Sequence, residues 1–309
     1  SEEEAGRLAQ TRTSPKLEGF LLPQSVQVTF RDDSVIREAD IIVSAIPVQY
    51  TRGVWERIGK HVSDGAAIIS VAKGIENQTL MRPTQIIQDA LRRIGRDDPD
   101  RRGRKVGCLS GPTIATELAR CLPAAMIAAA DDADFARQIQ SLFATSWLRV
   151  YTNPDVLGVE LAGAVKNVIA IAAGIVDGLQ AGNNAKSALL ARGLAEIARL
   201  GLAMGASPET FFGVAGLGDL ATTCFSPEGR NRTCGEHLGR GGELSAFLAS
   251  SQHVVEGVAT AKSVVDLARK FRVEMPIVQA VHAVLFEGLD PIEAIGQLMS
   301  REQKAERVG

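Results

Sequence analysis

Ala39-Asp40-Ile41-Ile42-Val43-Ser44-Ala45-Ile46-Pro47 is a short, continuously apolar run that stops at a proline. Ala66-Ala67-Ile68-Ile69-Ser70-Val71-Ala72 repeats the pattern and stops at Lys73-Gly74. Apolar runs of this length without alternation read as strands buried on both faces, as in a parallel sheet covered by helices above and below. The neighbouring segments agree. Residues 48–59 and 83–94 read as helices, 105–110 as a third strand, 112–120 as a short helix, 124–130 as a fourth strand and 148–151 as a fifth. Strands alternating with helices predict an α/β parallel sheet.

After Thr152 the pattern changes. Residues 155–178, 185–204, 255–272, 276–287 and 291–300 all carry helical signatures. Two domains are therefore expected, an α/β unit over 1–152 and an all-helical unit over 153–309. The glycine-rich stretch from Gly235 to Gly242 reads as a surface loop.

Composition bounds the function. The 309 residues are 45% hydrophobic and 23% charged, with a net charge of −2, which is soluble and globular and too acidic for a nucleic-acid-binding field. The basic run Arg101-Arg102-Gly103-Arg104-Lys105 reads as a solvated loop. Ser1-Glu2-Glu3-Glu4 is too acidic for a signal peptide. The apolar stretch Leu161 to Val176 is broken by Lys166 and Asn167, so it reads as a buried helix and not a membrane span. Cys108, Cys121, Cys224 and Cys234 form no C-x-x-C pair, which suggests free thiols in a cytoplasm. Cys224, Cys234 and His237 supply too few ligands for zinc, and no metal is expected.

In an open α/β sheet, ligands bind beyond the carboxyl ends of the strands. Three successive strands end in Ile46-Pro47, Lys73-Gly74 and Ser110-Gly111-Pro112. Gly111-Pro112 reads as a helix start whose free N–H groups would suit an anion, with Thr113 adding a hydroxyl and Lys73 an ammonium. Lys166 lies in a helix that is apolar on nearly every face. An unpaired buried ammonium must lose its proton or find a partner. Glu160 and Asp219 are the candidates for a structural ion pair. The small neighbours Ala162, Gly163 and Ala170 leave room for a ligand beside the lysine, which would then act as a general acid or base.

Gly216-Leu217-Gly218-Asp219-Leu220-Ala221 formally matches G-x-G-x-x-A, but no apolar strand precedes it, so it is not a dinucleotide fingerprint. Its glycines suit close packing around Asp219. Arg230-Asn231-Arg232 could bind a phosphate.

Ala72-Lys73-Gly74-Ile75-Glu76, Leu109-Ser110-Gly111-Pro112-Thr113, Glu160-Leu161 through Lys166-Asn167 to Ala173-Gly174, Gly216-Leu217-Gly218-Asp219-Leu220 and Gly229-Arg230-Asn231-Arg232 come in an order and spacing that resembles the bacterial-type NAD(P)-dependent glycerol-3-phosphate dehydrogenases. The resemblance extends through Val255-Glu256-Gly257 and Glu274-Met275-Pro276-Ile277. It implies a Rossmann-like domain followed by an all-α domain. It also implies interconversion of sn-glycerol 3-phosphate and dihydroxyacetone phosphate with NAD or NADP. Lys166 would be the proton donor and acceptor, with Lys73 and Asp219 at the reacting centre. Lys73, Gly111, Thr113, Lys166, Asn167, Asp219, Thr223, Gly229, Arg230 and Asn231 would face substrate. Lys73, Ala115, Arg230, Val254 and Glu256 would approach the cofactor.

Two departures stand out. The chain opens after the place where the family carries its first strand and G-x-G-x-x-G turn, so the first β-α-β unit and the residue that would choose NAD or NADP are expected to lie outside it, leaving a sheet edge open. Gly229 stands where the family usually has a polar residue. A related dehydrogenase of another small hydroxy acid and a non-catalytic remnant remain as alternatives. A homodimer is the default oligomer.

Overall fold

The computed structural model describes residues 2–97, 103–251, 254–303 and 305. Ahead of the sheet lie helices α1 (Glu2–Thr11) and α2 (Asp32–Ile36). The sheet half continues through β1 (Ile41–Ser44), α3 (Val48–Ile58), β2 (Ala67–Ser70), α4 (Pro83–Arg93), β3 (Val106–Ser110), α5 (Ala115–Ala119), β4 (Ala124–Ala130), α6 (Ala133–Phe143) and β5 (Leu148–Asn153). The five strands lie in the order β1-β2-β3-β4-β5. Ile41 pairs with Ala67 and Ile68 with Val106, both parallel.

The sheet is mixed, which corrects the all-parallel expectation. β4 runs antiparallel to β3, with Leu109 opposite Ala128, and β5 is parallel to β4. The cause is the β3–β4 connection. Its helix α5 has only five residues, about 7.5 Å of rise, too little to carry the chain back along the sheet for a parallel return. The chain reverses instead at Gly111, where φ is +146° and a Cβ would lie 2.9 Å from the Ala125 carbonyl oxygen. The expected helix start at Gly111-Pro112 is therefore absent. α5 begins at Ala115 after an extended Ile114.

Both faces of the sheet are covered, as continuous apolar strands require. Ile68 faces Trp55, Ile58, Ile87 and Leu91 of α3 and α4. Its neighbour Ile69 points the other way, toward Phe135 and Ile139 of α6. The edge strand β1 leaves Val43 exposed.

The helical half is α7 (Val156–Gly178), α8 (Gly182–Met204), α9 (Pro208–Phe212), a π turn over Val214–Gly218, α10 (Asp219–Phe225), α11 (Arg230–Gly239), α12 (Leu244–Ser250), α13 (Glu256–Phe271), α14 (Pro276–Phe286) and α15 (Pro291–Met299). α7 is its axis and starts with the Asp155 carboxylate accepting from the N–H of Gly158. Among the described residues it is the one helix long and apolar enough to cross a bilayer, and it is buried inside the fold.

Two surface readings need correction. Gly235 and Gly239 belong to α11, not to a loop. A Cβ on Gly235 would collide with the Ile171 carbonyl oxygen, so the glycines let α11 lie backbone to backbone on α7. That packing overrides a poor helix propensity. In the basic run, Arg101 and Arg102 lie outside the described residues, and Arg104 is not solvated. Its Nη1 donates to the carbonyls of Ser63 and Ala66 at 2.6 and 2.7 Å, which satisfies a loop the sheet leaves without partners.

Candidate active site

Lys166 projects from the middle of α7 and is buried. Its Nζ donates to Asp219 Oδ1 at 2.5 Å and to Thr223 Oγ1 at 2.6 Å. Asp219 opens α10 and is 1% exposed. Its other oxygen, Oδ2, accepts from Lys73 Nζ at 2.7 Å. Lys73 also donates to the Gly111 carbonyl at 2.8 Å. Three segments far apart in sequence thus meet: the end of β2, the end of β3 and the α7–α10 pair.

Two ammonium groups share one carboxylate here. Burial, helped by the charge of Lys73 and opposed by Asp219, brings the Lys166 amine down to about 8. A group near 8 exchanges a proton at physiological pH. The other proposed partner of Lys166 is engaged elsewhere. Glu160 accepts from Arg82 Nη1 at 2.5 Å, from the Thr84 N–H at 2.8 Å and from Thr84 Oγ1 at 2.7 Å.

Asp219 is placed by the π turn before it. A Cβ on Gly216 would collide with the Phe211 backbone, so the turn closes tightly onto α9. The expected room beside Gly163 is filled. A Cβ there would sit 3.1 Å from Ser110 Oγ and 3.5 Å from Lys73 Cγ. The small residue admits the Lys73 stem, not a ligand. Ser110 Oγ is buried without a hydrogen-bond partner.

The loop carrying Lys73 is pinned by residues that sequence reasoning missed. Gln49 Nε2 and Ser263 Oγ both donate to the Ile75 carbonyl, at 2.8 and 3.1 Å. Gln49 Oε1 accepts the Asn77 N–H at 3.1 Å. Arg52 Nη2 pairs with Glu76 at 2.8 Å. Their one signal was position, since Gln49 and Arg52 sit just after the β1 strand end.

The basic tripeptide splits into three roles. Arg230 is the first residue of α11, with Nη1 3.4 Å from the Val254 carbonyl. Asn231 is buried, its Nδ2 donating to Asn167 Oδ1 and its Oδ1 accepting the Gly257 N–H, both at 2.9 Å. Arg232 points away and pairs with Asp177 at 2.7 Å. Gly229 caps α11 without a side chain, and its carbonyl accepts from Thr233 Oγ1 at 3.0 Å. Thr113 Oγ1 donates to the Gly111 carbonyl at 3.2 Å, and Ala115 is the exposed first residue of α5. Glu256 opens α13. Burial raises its carboxyl group, against the opposing charges of Arg230, Lys73 and Lys166. Burial pushes the Cys224 and Cys234 thiols up to about 12. Among the described residues no three His, Cys, Asp or Glu side chains are grouped to hold a metal.

The fold and cluster define a class of α/β protein in which strand ends meet a buried lysine–aspartate cluster supplied by a helical half. Comparison with known proteins narrows this. The profile of the NAD-dependent glycerol-3-phosphate dehydrogenase N-terminus matches residues 1–136, and that of its C-terminus matches 155–296. Glycerol-3-phosphate dehydrogenase (NAD(P)+) 1 of Salinibacter ruber is 45% identical, covering 98% of this chain and 87% of its own. The enzyme of the same name from Chlorobium limicola is 43% identical, with 98% and 89% covered. The crystal structure of glycerol-3-phosphate dehydrogenase from Coxiella burnetii superposes with a TM-score of 0.91 at 30% identity, over 97% of this chain and 90% of that one. The chain belongs to the NAD-dependent glycerol-3-phosphate dehydrogenase family.

Proposed function

We propose that this chain interconverts sn-glycerol 3-phosphate and dihydroxyacetone phosphate, for the supply of glycerophospholipid backbones. The observation that carries this reading is the Lys166 amine, buried, held by Asp219 and Thr223, and pushed down to about 8. When bound, NAD or NADP supplies or accepts the hydride. In ketone reduction negative charge builds on the C2 oxygen, and Lys166 as an ammonium stabilises it and gives up its proton. Asp219 keeps Lys166 and Lys73 aimed at one point, and Lys73 adds a second positive charge there. Asn167, next to Lys166, and Thr223 complete the substrate wall.

The phosphate is assigned to Arg230, with Gly111, Thr113, Gly229 and Asn231 around it. Anchoring this distant group fixes the orientation of the reacting carbon. Lys73, Ala115, Arg230, Val254 and Glu256 are assigned to the cofactor. These residues fit such a group: the charges of Lys73, Lys166 and Arg230 all bear on Glu256, and the orphaned Ser110 Oγ lies at the same sheet edge. The domain boundary of this reading, 152/153, falls just inside the end of β5 (Leu148–Asn153) and ahead of α7. A cytoplasmic location accords with the free cysteines, and a homodimer is part of the same reading.

The test is oxidation of NADH, then NADPH, by the purified chain with dihydroxyacetone phosphate across a pH series. Ketone reduction needs protonated Lys166, so its kcat/KM is expected to fall above about pH 8, while oxidation of sn-glycerol 3-phosphate rises over the same range. A folded chain that ignores dihydroxyacetone phosphate but turns over another hydroxy acid would move the assignment to that substrate.

A further inference from the structure

α13 begins at Glu256 with no side-chain cap of its own. The first N–H groups of a helix need acceptors, and here one comes from another helix: Gly257 N–H donates to Asn231 Oδ1 at 2.9 Å. The same amide donates through Nδ2 to Asn167 Oδ1 at 2.9 Å. Asn167 Nδ2 reaches the Lys73 carbonyl at 3.5 Å. A line of amides therefore runs from the Lys73 loop, past the residue beside Lys166, through the start of α11 to the start of α13. Asn167 and Asn231 are 4% and 9% exposed, so water cannot readily replace a bond that breaks. Arg230 adds a parallel link to the Val254 carbonyl. The line is also tightly packed. A Cβ on Gly257 would lie 2.6 Å from the Asn167 carbonyl oxygen and 2.7 Å from Asn231 Oδ1.

The last two members of this line, Asn231 and Gly257, lie in or beside the turns assigned above to phosphate and cofactor, and the inference rests on that assignment. We propose that the Asn167–Asn231–Gly257 amide line couples the two half-sites, so that a nicotinamide cofactor ordering the Val254–Glu256 turn tightens the Arg230 turn around a phosphorylated ligand. Linkage makes the effect reciprocal: the phosphorylated ligand tightens cofactor binding by the same factor. Gly257 is a positioning residue in this scheme. It touches neither ligand and acts through the amide of Asn231.

The experiment titrates NADH and NADPH into the full chain, with and without saturating sn-glycerol 3-phosphate. This pair cannot react, because both partners are reduced. The wild-type chain is expected to bind reduced cofactor about fivefold or more tightly with sn-glycerol 3-phosphate present. In Gly257→Ala the ratio is expected to fall toward one, while each ligand alone keeps its affinity within a few-fold. A variant that was merely destabilised would not lose the ratio alone. If Gly257→Ala does not fold, hydrogen exchange of the wild-type Gly257 N–H reads the same coupling, since sn-glycerol 3-phosphate alone should slow it. A wild-type ratio of one, an undiminished ratio in folded Gly257→Ala, or exchange at Gly257 that ignores sn-glycerol 3-phosphate overturns the coupling. Failure of both ligands to bind the wild-type chain singly, with no turnover, removes the functional assignment itself and is read from the single-ligand titrations first.

Discussion

The first half of α7 and its second half are both buried, but by opposite means. Between Val156 and Asn167 the helix buries charge. Glu160 is answered by Arg82 and Thr84, and Lys166 by Asp219 and Thr223. From Ile171 onward it buries backbone. Gly174 and Gly178 receive the main chain of α11, and Gly235 and Gly239 of α11 receive the main chain of α7. In the proposed reaction the first half moves a proton, since its charges have partners and little water. The second half carries no chemistry, yet it holds α11, whose first residues are Arg230 and Asn231. In the same proposal, rigidity at one end of the helix positions the phosphate turn used at the other.

The backbone crossing should be the easier half to break. Gly235→Val would drive side-chain atoms into the Ile171 carbonyl. Ordinary core overpacking costs roughly 1–3 kcal/mol, and here the obstacle is helix backbone that cannot rotate aside. Loss of soluble folded chain is expected, read by circular dichroism and gel filtration. A folded Gly235→Val protein with an unchanged melting midpoint would mean the two helices do not lie this close.

The charged half should break in activity before it breaks in stability. Lys166→Met removes the acid and leaves Asp219 with Lys73. Losing a general acid costs roughly 100- to 10,000-fold, expected here in kcat for dihydroxyacetone phosphate. The buried ammonium is itself a burden, so the melting midpoint near pH 7 should hold or rise. Near-wild-type turnover would remove Lys166 from the chemistry.

The same contrast decides what was legible in the sequence. A charge in an apolar helix announces a need, so Lys166 stood out before its partner was settled. Glu160 and Asp219 were equal candidates, and the choice was made by Arg82, 78 positions before Glu160. Glycines announce only permission. Nothing local separates the α11 glycines, which admit a neighbouring helix, from those of a loop. The direction of β4 was hidden for a related reason, because a continuous apolar strand is buried on both faces whichever way it runs. The strand-end convergence was readable because its three strands are those that do run parallel. The supports from Gln49 and Ser263 were not, since they depend on where α3 and α13 meet the Ile75 carbonyl.

The smallest expected effect probes how the charged half is tuned. Thr223 Oγ1 donates its own proton to the Asp219 carbonyl at 2.6 Å. Its lone pair is therefore left to accept from Lys166. That bond is stronger to an ammonium than to a neutral amine, so it favours the charged form. Thr223→Val keeps the shape and removes the acceptor. The Lys166 value of about 8 should then drop by up to about one unit. The sign follows directly. Ketone reduction, which uses the ammonium, should begin to fail at lower pH than in the wild type. Alcohol oxidation, which uses the neutral amine, should begin to gain at lower pH. Thr223→Ser restores the hydroxyl and should restore both profiles. A Thr223→Val enzyme with lower turnover but unmoved profiles would make Thr223 a packing residue, and leave burial, Asp219 and Lys73 to set the proton affinity of Lys166.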